Sequence, residues 1–258
     1  PIQYKIKNFT PGNLHKMENN WATISENLEA TVKLISKFGF TDKNIPAAGA
    51  ILPIAFYITK LNKNNYVDSS LKEDVLNQNL IQTWLILSLL KNAFGGSSDT
   101  TLKNIRDTLC AQTTFDNFPI EALNKTLAIE ANFNDTEIEK HLKITYKSKY
   151  SYLVLSLLYP NRDWKDNNYH EDHIFPKSEF TTAKLEKRGY DAKTIREYQE
   201  NYNTIGNLQL LTGSENKQKS ATDFEKWLNA RDPNFKTRHS IPVLPSYSFD
   251  NFLEFVKE

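Results

Sequence analysis

The stretch HEDHIFPKS, residues 170–178, sets Asp172 and His173 directly before two apolar residues and Pro176. That order predicts a short strand that ends at the proline, whose ring removes the N–H a ladder needs. Further along, NTIGNLQLLTGSENKQKS, residues 203–220, supplies a second apolar strand opening at Asn207 and a polar turn carrying Asn216 and Lys219. Read together they predict strand, intervening segment, strand and short helix, a ββα unit with His173, Asn207 and Asn216 at its three key positions.

These residues resemble the HNH nucleases of the His-Me finger (ββα-metal) superfamily, and most closely the nuclease domain of GmrSD-type modification-dependent restriction proteins. The resemblance rests on Asp172-His173-Ile174-Phe175-Pro176-Lys177-Ser178, then Ile205-Gly206-Asn207-Leu208-Gln209-Leu210-Leu211, then Asn216-Lys217-Gln218-Lys219. It implies His173 as general base and Asn207 as the residue tying the second strand to the loop that carries the base. It implies Asp172 and Asn216 as ligands of one divalent ion, Mg2+ or Mn2+. Asparagine stands at 216 where the commonest HNH pattern has histidine, and the paired CxxC motifs that bring zinc to many small HNH domains are missing. Apolar packing must hold this unit instead.

The chemistry of each residue admits a plainer reading beside that one. A neutral imidazole near pH 7 can take a proton from water, but a histidine next to a carboxylate is also a common hydrogen-bonded pair. Asp172 and Asn216 offer hard oxygens suited to magnesium or manganese; alternatively Asn216 caps the short helix and Asp172 pairs with a lysine. Asn207 could be a turn asparagine. Lys177, Lys217 and Lys219 are candidates for DNA phosphate contact, against the plain reading of solvated lysines. His170 shares a strand face with Asp172 and is either a further ligand, an outer partner or a bystander.

Composition restricts the classes without choosing among them. A chain of 258 residues, 39% hydrophobic and 12% aromatic, can bury two modest cores and is not disordered. Cys110 is the single cysteine, which excludes an intramolecular disulfide and fits a reducing cytoplasm. The run Trp84–Leu90 falls far short of a membrane span. The net charge of +1 does not point to nucleic acid; the motif does. An opening Pro1 suggests an excised or processed chain.

Along the chain, residues 1–160 read as a helical domain and 161–258 as the nuclease domain with closing helices, an α+β fold that is mostly α. Trp21 to Phe38 carries a stripe at Ile24, Leu28, Val32 and Ile35, with Gly39 as C-cap. Pro53 predicts a kink or a late start in Ala47–Leu61. Ser70 to Glu73 reads as a capping box for a helix lined by Val75, Leu76, Leu80, Trp84 and Leu87. Thr145–Tyr159 reads as one helix ending at Pro160, and Trp21, Trp84 and Trp227 read as core. The resemblance implies a DNA endonuclease of an anti-phage or modification-dependent restriction system, with an N-terminal nucleotide-handling domain as a partner outside this chain. A non-catalytic DNA- or protein-binding module on a degenerate HNH scaffold, and an RNA-directed nuclease, are the alternatives.

Overall fold

A computed structural model describes residues 6–96, 98–159 and 169–258. Pro1, the junction expected at Pro160 and the polar 161–168 segment lie outside the described residues. The secondary structure is mostly helical, with one two-stranded sheet among the described residues. Two compact units divide the chain, Pro1–Asn132 and Phe133–Glu258.

The first unit contains α1 (Pro11–Asn19), α2 (Trp21–Lys37), α3 (Ile51–Leu61), α4 (Lys72–Leu90), α5 (Ser98–Cys110) and α6 (Ile120–Leu127). In α2 the buried face is Thr31, Leu34 and Ile35, while Val32 is 53% exposed and Trp21 60%. The apolar stripe read from the sequence is therefore rotated, and Trp21 is surface. Gly39 does follow α2 with φ +79, a conformation glycine adopts without steric cost. Pro53 falls in the first turn of α3, where an amide donor is not needed, so that helix starts late and runs unbroken. No capping box forms at 70–73: Leu71 is the N-cap of α4, and Ser69 instead bonds the buried Asp74, which pairs with Lys63 at 2.7 Å. Asn77 ties the core polar groups, donating to Tyr57 Oη at 2.8 Å and accepting from the Phe118 amide at 2.6 Å. Burial pushes the Tyr57 hydroxyl up to about 12.

The second unit contains α7 (Asp135–Leu142), α8 (Ser151–Leu158), β1 (Tyr169–His173), α9 (Thr182–Lys187), α10 (Ala192–Asn201), β2 (Leu208–Thr212), α11 (Gly213–Lys219), α12 (Phe224–Asn229), α13 (Phe235–Arg238) and α14 (Phe252–Phe255). The single helix expected over 145–159 is shorter. Lys147 at φ +60 cannot continue a helix, and Thr145 forms a β-bridge to Thr204. The Ile205 amide donates to Ile144 O at 3.1 Å and Ser151 Oγ to Glu171 at 2.9 Å, so this segment belongs to the unit that holds the sheet. Phe175, 1% exposed, centres the core, its ring 4.9 Å from Phe224 and 5.2 Å from Phe255. Ring contacts of this kind hold the core around β1 and β2 together.

Candidate active site

β1 and β2 pair antiparallel, with Asp172 opposite Gln209 and His173 opposite Leu208. Alternation along β1 turns His170 and Asp172 to one face and Glu171 and His173 to the other. Helix α11 follows β2 directly and packs on both strands. Its start is fixed by a capping box, Thr212 Oγ1 accepting from the Glu215 amide at 3.3 Å and Glu215 Oε2 accepting from the Thr212 amide at 3.0 Å. Thr212, and not Asn216, is therefore the cap.

His173 is buried, 7% exposed. Its Nε2 lies 3.0 Å from Asn203 Oδ1, and since an amide oxygen only accepts, Nε2 carries the proton and Nδ1 is the basic atom. The Tyr146 ring covers the imidazole at 4.5 Å, and Tyr202 stacks on it at 6.2 Å. Burial pushes its proton affinity below the usual histidine value; the Asn203 bond and the nearby Asp172 carboxylate oppose that, while Lys177 and Lys219 reinforce it.

Asn207, wholly buried, holds the turn after β1. Its Oδ1 accepts from the Phe175 amide at 2.8 Å, and its Nδ2 donates to Tyr202 O at 2.7 Å and Phe175 O at 3.2 Å. Its own carbonyl accepts from the Ile174 amide at 2.8 Å. A buried amide bonded at each of these atoms leaves the loop little freedom to move.

Lys219 departs from its expected place at a DNA phosphate. It is fully buried, with Nζ 2.8 Å from Asp172 Oδ2 and 2.6 Å from His173 O. A side chain with no exposed surface is an internal counter-charge. The plain reading of Asp172 as a lysine partner thus holds for one of its oxygens, to which Gln209 Nε2 also donates at 3.1 Å. Lys177 and Lys217 are exposed, and Asn216 is half-buried with its side-chain amide making no hydrogen bond. His170 is exposed, near the start of α11 at Gly213.

The donor set fits a hard divalent ion that keeps several waters. Asn216 lies three residues before Lys219, hence on the helix face that looks at Asp172. Asp172 Oδ1 is unengaged, and the buried Gln209 Oε1 has no hydrogen-bond partner. Among the described residues there is no cluster of three or more His, Cys, Asp or Glu side chains that could hold a metal.

Sequence reading passed over Asn203, Tyr146, Lys147, Glu171 and Gln209. Glu171 accepts from the Lys147 amide at 3.1 Å, and burial pushes its carboxyl up. Gln209 carried a readable signal, since any register opposing Asp172 to it brings amide to carboxylate. Asn203 and Tyr146 carried none, being set by contacts distant along the chain.

Among the described residues no helix is long and apolar enough to cross a membrane. No curated protein matches the chain. Residues 123–232, a stretch that takes in β1, β2 and α11, match the family described as GmrSD restriction endonucleases, C-terminal domain. This part of the chain is therefore similar to the C-terminal domain of restriction endonucleases of that family.

Proposed function

We propose that the chain is a metal-dependent DNA endonuclease of the HNH type. In this reading His173 is the general base, Asp172 and Asn216 hold one Mg2+ or Mn2+, and Asn207 fixes the loop that aims the base. The observation that carries it is the Lys219 ammonium on Asp172, because it brings the α11 face bearing Asn216 over the β1 residue that precedes His173.

In-line attack on a phosphodiester needs a water activated on one side of phosphorus and charge relief on the other. Adjacent strand residues supply opposed sides: His173 Nδ1, left free by the Nε2 bond to Asn203, can take the proton from water. When bound, the ion supplies charge neutralisation at the phosphate and the leaving 3′-oxygen. Lys177 and Lys217, exposed at either end of the motif, are phosphate contacts in this reading. The enzyme would serve as the C-terminal, cutting part of an anti-phage or modification-dependent restriction protein, with nucleotide handling on a separate N-terminal domain.

The test is nicking of supercoiled plasmid in magnesium or manganese by the chain and by His173→Ala, with melting temperature measured on both. Loss of ~10²–10⁴-fold in rate with the fold retained supports the base assignment. Equal cleavage by the two, or cleavage of RNA in place of DNA, overturns the reading.

A further inference from the structure

We propose that Lys147 is a DNA-binding residue of this site, its ammonium seated on a backbone phosphate of the strand presented to His173. The choice of DNA as ligand rests on the nuclease reading above. Lys147 adopts φ +60, and among the described residues in that left-handed region it alone carries a charge. Such a backbone is disfavoured for a long side chain and persists only where the surroundings fix it.

Here they do. The Lys147 amide donates to Glu171 Oε2 at 3.1 Å, and the preceding Tyr146 amide donates to Asn203 O at 2.9 Å. Asn203 is the residue whose side chain holds His173, so one short segment is tied to both β1 and the partner of the base. The Tyr146 ring centroid lies 4.5 Å from that of the His173 ring and 5.2 Å from the Lys147 ammonium. The exposed lysine is thereby held beside the ring that packs on the imidazole, its charge acting on the Glu171 carboxylate without a direct ion pair.

Lys143, Lys147 and Lys149 stand in a stretch free of acidic residues, and all three are exposed. A basic segment interleaved with tyrosine and fixed beside a proton acceptor suits the phosphate backbone of a nucleic acid. On the α11 side Lys219 is spent on Asp172, and Lys217 is the exposed lysine. Lys147 is thus an exposed cation beside the Tyr146 ring that packs on His173, alongside the exposed Lys177 and Lys217.

Binding of a short labelled DNA duplex, measured by fluorescence anisotropy across a salt series in EDTA, tests this without strand cutting. Lys147→Gly accepts the same backbone and removes the side chain with its ammonium, while the backbone amide that bonds Glu171 stays. It should weaken binding about five- to tenfold and lower the slope of log affinity against log salt by about 1, without lowering the melting temperature. Lys147→Arg should restore both, and Lys193→Ala on α10 should change neither. Unchanged affinity and slope in Lys147→Gly, an equal loss in Lys193→Ala, or tighter binding of the matching RNA duplex overturns the proposal. A wild-type chain that binds DNA through Lys147 but leaves plasmid intact in magnesium and manganese overturns the nuclease reading and leaves this one standing.

Discussion

The Lys219 ammonium lies 2.8 Å from the Asp172 carboxylate with no exposed surface of its own. It is held between a strand and a helix that are far apart in the chain. Removing one partner of such a pair strands the other charge, at about 3 kcal/mol for a site that keeps some solvent contact. Lys219→Met should therefore lower stability in urea or heat while leaving the salt dependence of DNA binding unchanged. A stable Lys219→Met whose salt slope drops by about 1 would make Lys219 a phosphate contact after all.

The buried His173 should give a cleavage rate that rises with pH and levels off, with its midpoint below the ordinary histidine value of 6.5. The same shift acts on the fold. The unfolded chain takes up a proton at His173 as pH falls through 6.5 while the folded chain resists it, so stability drops with falling pH across that window. Rates from pH 5 to 8 in magnesium, alongside melting curves of the chain and His173→Ala, check both. A flat rate profile assigns the base elsewhere.

EDTA should abolish cleavage, and magnesium or manganese should restore it, while the melting temperature moves little. The reason is that Asp172 already has an internal counter-cation and the core around Phe175 is apolar. Differential scanning calorimetry with and without chelator decides between this and a structural ion, whose loss would collapse the transition.

Asn207→Ala should cost about 3 kcal/mol, since it leaves the Phe175 amide and the Tyr202 carbonyl without partners inside the fold. Asn207→Asp should be worse at neutral pH, because a carboxylate would face the two carbonyls that now receive Nδ2. Urea unfolding of the three chains ranks them, and an Asn207→Asp as stable as wild type would contradict the bonding described here.

By itself the sequence determined the elements around the site: a strand through Asp172 and His173, a second strand after Asn207, and the short α11; the first strand ends at His173, short of the expected Pro176, where Asn207 takes over the Phe175 amide. Each follows from local rules, apolar runs and polar turns, that act over a few residues. It also carried the late start of α3, because Pro53 tolerates only the first helical turn. What tertiary structure alone decided is which charges meet. Lys219 and Lys217 look alike in sequence, yet one is buried on Asp172 and the other exposed, because the orientation of a single helix face separates them. The rotation of the α2 stripe onto Thr31, Leu34 and Ile35, the left-handed Lys147 and the grip of Asn203 on His173 likewise depend on packing between segments distant in the chain. Local periodicity says that a face exists, and only the partner that covers it fixes which residues turn inward.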